Sequence, residues 1–251
     1  MSPQLSEPIC STMRALTRGL LTILGDRLVG VYLGGSAASE DFCEASSDLD
    51  FLVVTRGELN LEDEVAIKLL HKDVLRKHPY ARRLEGDYVP REYLVPEGTT
   101  VPVPGCEHGL FLPKVGEIML SADNIADMRQ HGVTFHGPEP RAVLPAVSPD
   151  QVREAARTML ADGIGLCSTP AEAASELLNL LRSALAIEIG EPTTKSSGAK
   201  WGLAHLSPEF HPAIRAAVEI RCGAEEPDLA DLVMATLPRL DQSLRLQFCP
   251  S

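Results

Sequence analysis

The chain of 251 residues has few aromatic and few basic side chains, and each shortage makes a class of site less expected. Aromatic residues are 4% of the sequence, so a ligand platform of stacked rings has few candidates. Lysine and arginine number 23 against 35 aspartates and glutamates, which gives a formal net charge of −12. Because phosphate contacts supply most nucleic acid affinity, we expect no nucleic acid partner. The negative charge fits a cationic small-molecule partner, or it serves solubility alone.

Long apolar runs and paired cysteines are also missing from the sequence. No apolar run approaches ~18 residues, so we expect no membrane span, and the N-terminus lacks the pattern of a signal peptide. The cysteines are scattered without close spacing, which argues against a zinc site or a disulfide framework. They are Cys10, Cys43, Cys106, Cys167, Cys222 and Cys249. We therefore expect a cytoplasmic protein with no membrane partner, acting as a monomer.

The first half of the sequence mixes strand and helix signals. Helical spacing of apolar residues predicts a helix over 5–25, and short apolar runs predict strands over Leu28–Leu33 and Leu49–Thr55. Asn60 is expected to cap a helix with apolar Leu61, Val65, Leu69 and Val74 that ends before Pro79. A third strand is predicted within 82–95, followed by a proline-rich loop or edge strand, a helix near 121–131 and a last short strand.

After Pro145 the signals are helical. Ser148-Pro149 and Thr169-Pro170-Ala171-Glu172 are typical helix starts, and further helices are expected near 195–206, after Ser207 and from about residue 228. The sequence predicts an α+β chain, with a mixed sheet in a domain over 1–147 and a helical domain over 148–251.

Two aspartates at the start of the second strand raise the question of which cation neutralises their charge. Asp48 and Asp50 point the same way because strand residues i and i+2 share a face. Like charges side by side are unfavourable unless a cation neutralises them. Glu85 lies in the next predicted strand, and pairing of the strands would bring three carboxylates to one sheet edge. Such oxygen ligands suit Mg²⁺, which binds proteins through one or two carboxylates and substrate phosphates.

A glycine-serine turn precedes these aspartates. Gly34, Gly35 and Ser36 follow the first strand, where glycines let a phosphate approach the backbone and the hydroxyl can donate to it. An Asp-x-Asp pair alone is common at strand starts, and Gly-Ser alone is only a turn. Their combination with a later carboxylate strand indicates metal-assisted transfer on a nucleoside triphosphate.

The stretch "GGS…SSDLDFLVV" resembles the signature of the polymerase-β-type nucleotidyltransferase superfamily. The segments "RRLEGDYVPREYL", "NLLRSALAIEIGEPTTKSSGAKWGLAHL" and "SPEFHPAIRAAV" resemble, in order, blocks of the aminoglycoside adenylyltransferases that modify streptomycin and spectinomycin. The resemblance implies a nucleotidyltransferase domain, a C-terminal helical bundle, and ATP, Mg²⁺ and antibiotic between them.

The resemblance also implies roles for single residues. Asp48 and Asp50 match the metal-binding pair of that family, and Glu85 matches its catalytic base. Ser36, beside Gly35, matches a serine that contacts the nucleotide phosphates. Arg182 and Lys195 match cations of the helical domain that reach the nucleotide.

Three more carboxylates are candidates for binding a cationic acceptor. Asp87 shares the strand face of Glu85, and is a supporting or substrate-binding residue or merely exposed. Glu172 and Glu176 are four residues apart on one helix face, and either receive cationic groups of the acceptor or form an ordinary solvated face.

These observations predict an ATP- and Mg²⁺-dependent enzyme that transfers AMP to a hydroxyl of spectinomycin or streptomycin, conferring resistance. One alternative keeps the chemistry and changes the acceptor to another small molecule or a protein. The other is a non-catalytic binding module of the same fold, which would have no need for a base at Glu85.

Overall fold

A computed structural model of the chain describes residues 5–99, 101–113 and 120–249, with residue 99 described by its backbone alone. The chain forms two compact units. The first comprises the described residues up to Phe42 together with Ser47–Val147, and the second comprises Cys43–Ser46 together with the described residues from Ser148 onward. The division falls at the boundary that the sequence predicts, but the sequence gives no sign that Cys43–Ser46 joins the second unit.

The first unit is built on a mixed sheet with the strand order β6-β5-β3-β2-β1-β8. Strands β2 and β3 are parallel, and the other neighbours in this sheet are antiparallel. A separate antiparallel pair joins β4 to β7. The strands are β1 (Leu28–Leu33), β2 (Leu49–Thr55), β3 (Leu84–Pro90), β4 (Gly98–Thr99), β5 (Gly105–Glu107), β6 (Leu110–Leu112), β7 (Leu120–Ser121) and β8 (Val133–His136). The helices are α1 (Glu7–Leu24), α2 (Gly35–Ala38), α3 (Leu61–Lys77), α4 (Ala122–His131) and α5 (Pro140–Val143).

Apolar residues cover both faces of this sheet. On one face, Phe51 and Tyr88 pack with residues of α1 and α3 such as Leu16 and Ile67. On the other face, Leu52 packs with residues that include Ile125 and Met128 of α4. Alternation along β2 and β3 therefore gives each sheet face its own core, and residues 50, 85 and 87 share the face of Leu52.

The helix α3 buries a different face from the one that its aliphatic residues suggest. Leu61, Val65 and Leu69 are 75%, 54% and 59% exposed. The buried positions are Asp63, Ile67, His71 and Val74. The predicted helix is present and Asn60 caps it, but only Val74 of the four apolar residues on which the prediction rested is buried.

Polar partners from distant segments explain why two polar residues of α3 are buried. The Nη1 and Nη2 atoms of Arg27 donate to the two carboxylate oxygens of Asp63 at 2.7 and 2.5 Å. The Nε2 of His71 lies 2.6 Å from the hydroxyl of Tyr88, and its Nδ1 lies 3.1 Å from the carbonyl oxygen of Gly109. Burial lowers the pKa of His71 to about 4, so the ring is neutral at pH 7 and links α3 to β3.

The second unit is helical. Its helices are α6 (Pro149–Asp162), α7 (Pro170–Ile189), α8 (Lys195–His205), α9 (His211–Arg221) and α10 (Pro227–Phe248). The central helix is α7, which contacts the other four and buries apolar residues around much of its circumference. Within the described parts of the chain, no helix combines the length and apolar character needed to cross a membrane.

We predict that Asp63→Asn lowers the free energy of unfolding by about 1–2 kcal/mol at pH 7, the scale of hydrogen bonds to a charged group with a partly exposed partner. Hydrogen bonds from Arg27 hold the pKa of Asp63 below its usual value, although burial opposes them. The ionised form is thus favoured in the folded chain, and the stabilisation is complete above about pH 5. It is lost as the pH falls below the ordinary aspartate pKa of about 4 and then through the lowered pKa of Asp63.

Urea denaturation of wild type and variant at several pH values measures this difference. Asp73→Asn is the matched control, because Asp73 lies on the same helix and its ion pairs with Arg76 and Lys77 are exposed. An Asp63→Asn variant that is no less stable than Asp73→Asn at pH 7 would contradict the assignment.

Candidate functional site

The turn after β1 packs directly on Asp50. The backbone N–H of Gly34 donates to the carbonyl oxygen of Asp50 at 2.8 Å. Gly35 has a φ of 56°, and a Cβ atom at this position would overlap the Oδ2 atom of Asp50. Ser36 follows in the first turn of α2 and is half-buried. A glycine at 35 is therefore required both by the left-handed backbone and by the close carboxylate.

Asp48 and Asp50 flank a residue that anchors them. Leu49, the first residue of β2, is buried in the sheet, whereas Asp48 just before the strand and Asp50 within it are partly exposed. Arg83 holds the backbone just before Asp48, because its Nη1 donates to the carbonyl oxygen of Ser47 at 2.7 Å. The Arg83 guanidinium also lies over the ring of Tyr80, with its Cζ 5.4 Å from the ring centroid.

Glu85 lies directly beside Asp50 on the parallel neighbour strand. The register pairs Asp50 with Glu85, so their side chains leave the same face of adjacent strands. The Glu85 residue is exposed at the strand start, yet partial burial of its carboxyl group raises its pKa. The charges of Asp48, Asp50 and Glu107 raise that pKa further. Asp48 and Asp50 are thus close enough for their charges to act on Glu85.

Sequence reasoning missed Arg83 and Glu107 as contributors to this site. Arg83 stands in the "RRLE" stretch, so an arginine two residues before the carboxylate was the available signal. Glu107 lies on β5, whose pairing with β3 was not predictable from a proline-rich segment. Residue 87 is also on this face: burial raises the pKa of Asp87 to about 6.

The carboxylates suit a hard cation such as Mg²⁺. Across residues 5–99, 101–113 and 120–249, no three His, Cys, Asp or Glu side chains form a metal-binding group. Mg²⁺ does not require one, because it binds through one or two carboxylates and takes its other oxygens from water and phosphates. The raised pKa of Glu85, caused by burial and then by Asp48 and Asp50, shows a concentration of negative charge that a cation would relieve. The residues present therefore fit Mg²⁺ held by Asp48 and Asp50.

The other predicted residues lie in the helical unit. Lys195, the first residue of α8, donates from Nζ to the Oγ of Ser175 on α7 at 2.6 Å. Arg182 is half-buried on α7, and its carbonyl oxygen accepts a hydrogen bond from the Thr193 hydroxyl at 2.8 Å. These contacts attach the start of α8 to the middle of α7.

The two glutamates of α7 have different surroundings. The Oε2 atom of Glu172 accepts hydrogen bonds from the backbone N–H groups of Ser168 and Thr169, at 2.6 and 3.2 Å, and so caps the helix. Glu176 is half-buried, and its Oε1 accepts a long hydrogen bond of 3.5 Å from Asn179. Glu172 therefore has a structural role at the start of α7.

Comparison with known proteins matches both parts of the chain. A family model described as "Nucleotidyltransferase domain" matches residues 17–98, and one described as "Aminoglycoside adenylyltransferase, C-terminal domain" matches residues 142–239. A spectinomycin 9-adenylyltransferase from Campylobacter jejuni is 26% identical over 222 residues, which cover 80% of this chain and 81% of that protein.

The fold is similar to that of a solved enzyme. The crystal structure of the spectinomycin adenyltransferase AAD(9) from Enterococcus faecialis, determined with ATP and spectinomycin, superposes with a TM-score of 0.70. Sequence identity is 17%, and the match covers 94% of this chain and 99% of the other. The mixed sheet, the matched domain and the carboxylate site together define an enzyme of the nucleotidyltransferase class. Within that class, the chain belongs to the aminoglycoside adenylyltransferase family.

We predict that Gly35→Ala reduces nucleotidyl transfer by about 10²-fold, since a displacement of about 1 Å in a reacting group can have that effect. The new methyl group would push the Asp50 carboxylate away from its place on the turn. Pyrophosphate release from a nucleoside triphosphate measures the loss.

Gly25→Ala controls for backbone strain in this experiment. Gly25 has a similar φ of 52°, and nothing lies within 4 Å of an added Cβ atom. Both variants should lose about 1 kcal/mol of stability because alanine disfavours a positive φ. Gly35→Ala should lose more, because its Cβ atom also overlaps Asp50. Only Gly35→Ala should lose activity, and equal activity in the two variants would contradict the role of the turn.

Proposed function

We propose that this protein transfers AMP from ATP to a hydroxyl of spectinomycin or streptomycin in an Mg²⁺-dependent reaction. The observation that carries the proposal is the parallel register of Asp50 and Glu85 beside the Gly34–Ser36 turn. Family membership and the names of the similar proteins support this acceptor class and ATP as the donor. The net charge of −12 favours the approach of a polycationic acceptor.

Glu85 is the proposed general base. Its raised pKa, caused by burial and then by neighbouring carboxylates, brings its basicity closer to neutral pH than that of an ordinary glutamate. Glu85 takes the proton of the acceptor hydroxyl, and the oxygen forms a bond to the α-phosphorus of ATP. The bond from that phosphorus to the bridging oxygen breaks, and pyrophosphate leaves. Bound Mg²⁺ would supply neutralisation of the charge on the phosphates.

The remaining predicted residues bind the two substrates in this proposal. Asp48 and Asp50 hold Mg²⁺, while Gly35 and Ser36 contact the phosphates through the backbone and the hydroxyl. Arg182 and Lys195 bind the triphosphate and neutralise charge that grows on the leaving pyrophosphate.

Two glutamates are proposed on the acceptor side. Glu176 and Glu172 receive cationic groups of the acceptor, and Glu176 is the better candidate since Glu172 also caps α7. The proposed enzyme acts as a monomer in the cytoplasm and protects the cell that contains it from the antibiotic.

We predict that Glu85→Gln lowers turnover by about 10²-fold or more while ATP binding persists, because the amide keeps the shape and removes the base. The assay follows pyrophosphate release and the mass of the antibiotic, which gains one AMP. Glu107→Gln is the matched control, since Glu107 acts on Glu85 only through its charge. It should retain turnover within about 10-fold, the scale of one surface charge.

Growth with spectinomycin and with streptomycin, with and without expression of this chain, tests the acceptor. Resistance to either drug that is lost with Glu85→Gln supports the proposal. Mg²⁺-dependent AMP transfer to other acceptors but to neither drug would leave a nucleotidyltransferase with a different acceptor. An inactive wild type that binds ATP would favour the non-catalytic module.

We predict that Lys195→Ala raises the KM for ATP by about 10-fold, the scale of one charge-assisted hydrogen bond to phosphate. Lys200→Ala is the control, because Lys200 is exposed on the same helix. Initial rates at varied ATP concentration measure both variants. An unchanged KM and turnover in Lys195→Ala would remove Lys195 from the nucleotide site.

A further inference from the structure

Asp87 is a second carboxylate on the reacting face of β3. It lies two residues beyond Glu85, and its register partners are Leu52 on β2 and Gly105 on β5. Leu52 belongs to the apolar cluster on this face of the sheet. Asp87 therefore stands at the border between the carboxylate group of Asp48, Asp50 and Glu85 and the apolar core.

The Asp87 carboxylate has no hydrogen bond or ion pair with any residue that the structure describes, although it is half-buried. Asp63 offers a comparison within the same unit, because both oxygens of its buried carboxylate accept hydrogen bonds from Arg27. Partial burial of an unpaired carboxylate is unfavourable, and here burial raises the pKa of Asp87 to about 6. Among the residues that the structure describes, Asp63 has a partner and Asp87 has none.

The residue opposite Asp87 leaves space beside its carboxylate. A Cβ atom added to Gly105 would lie 3.2 Å from the Oδ1 of Asp87, closer than ordinary van der Waals contact. Gly105 is not among the glycines with a positive φ, so its backbone does not require glycine. The missing side chain instead leaves room beside Oδ1 on the side of β5.

We propose that Asp87 determines acceptor specificity by accepting a charge-assisted hydrogen bond from a protonated amine of the acceptor, beside the hydroxyl that Glu85 deprotonates. This inference rests on the proposed function. The acceptor class it selects is an amino alcohol whose amine and reacting hydroxyl are on neighbouring ring carbons, as opposed to a neutral sugar.

The spacing of the two carboxylates suits such a pair of groups. Alternate residues of a strand are about 6.7 Å apart, so Glu85 and Asp87 are separated by about that distance along β3. A hydroxyl bound to one carboxylate and an ammonium bound to the other would each form a hydrogen bond of about 2.8 Å. Neighbouring substituents of one ring can therefore reach both carboxylates, whereas groups on opposite sides of a large molecule cannot.

The test compares two acceptors in two proteins. Initial rates at pH 7.5 would be measured with spectinomycin and with its N-acetylated, uncharged form, using wild type and Asp87→Asn. Wild type should favour the amine form by about 10- to 100-fold in kcat/KM, and Asp87→Asn should lose most of that preference through a higher KM for spectinomycin. The KM for ATP should not change.

Asp73→Asn is the control for the loss of one negative charge, because Asp73 is on α3 and makes only exposed ion pairs. Asp87→Asn should be at least as stable as wild type in thermal unfolding, since it removes a half-buried charge that has no partner among the described residues. A lower melting temperature with an unchanged amine preference would identify a structural residue and overturn the inference.

The other outcomes separate this inference from the proposed function. If wild type transfers AMP and Asp87→Asn keeps the full amine preference, the inference is wrong and the function stands. If Asp87→Asn instead raises the Mg²⁺ requirement, Asp87 is a metal ligand and the inference is again wrong. If wild type transfers AMP neither to these two forms nor to streptomycin, the proposed function is wrong and the inference falls with it.

Discussion

The parallel pairing of β2 with β3 is the constraint on which the site depends. It places Asp50 opposite Glu85 and Leu52 opposite Asp87, with all four side chains on one face. Because the side-chain period of a strand is two residues, a slip of one position would turn Glu85 towards the opposite core beside Phe51. The register is held by that core, where Leu49 and Leu84 are fully buried partners.

A parallel pair cannot be joined by a tight hairpin, so the crossover helix α3 is part of the site's support. Arg27, from the segment before β1, holds Asp63 at the start of the helix. Near its end, His71 reaches Tyr88, which is one residue beyond Asp87 and faces the other side of β3. The same neutral ring reaches the carbonyl of Gly109 in the turn after β5. One buried histidine thus connects the helix, the strand of Glu85 and the hairpin that contains Glu107.

The sequence predicts the strands of this site better than the helix that supports them. The apolar runs of β1 and β2 are bounded by glycines or by polar residues, and their predicted bounds agree with the structure. The exposed face of α3 was not predictable, because Leu61, Val65 and Leu69 have the spacing of a core stripe. The burial of Asp63 and His71 depends on Arg27, Tyr88 and Gly109, which are distant in sequence.

Within the site, too, local geometry was predictable from the sequence and contacts between distant residues were not. The nearness of Asp48 and Asp50 follows from their local spacing, and bringing Glu85 beside Asp50 needed only one further strand pairing. Arg83 and Glu107 were missed because their contributions depend on contacts with the loop before β2 and on the edge hairpin. A carboxylate in a sequence does not reveal whether the fold will supply its counter-charge.

Two aspartates of the first unit differ in whether the described residues balance their charge, and this contrast distinguishes a structural carboxylate from a substrate-binding one. Asp63 receives two hydrogen bonds from Arg27, which lower its pKa, so its charge is balanced within the folded chain. Asp87 is also removed from water, but within the described residues no cation or donor compensates it, and its pKa rises. If Asp87 had only a structural role, an uncharged residue of the same size would make the folded chain more stable. In our proposal, a positively charged group from outside the chain offsets the energy of burying this charge, so we assign Asp87 to the acceptor and not to the core.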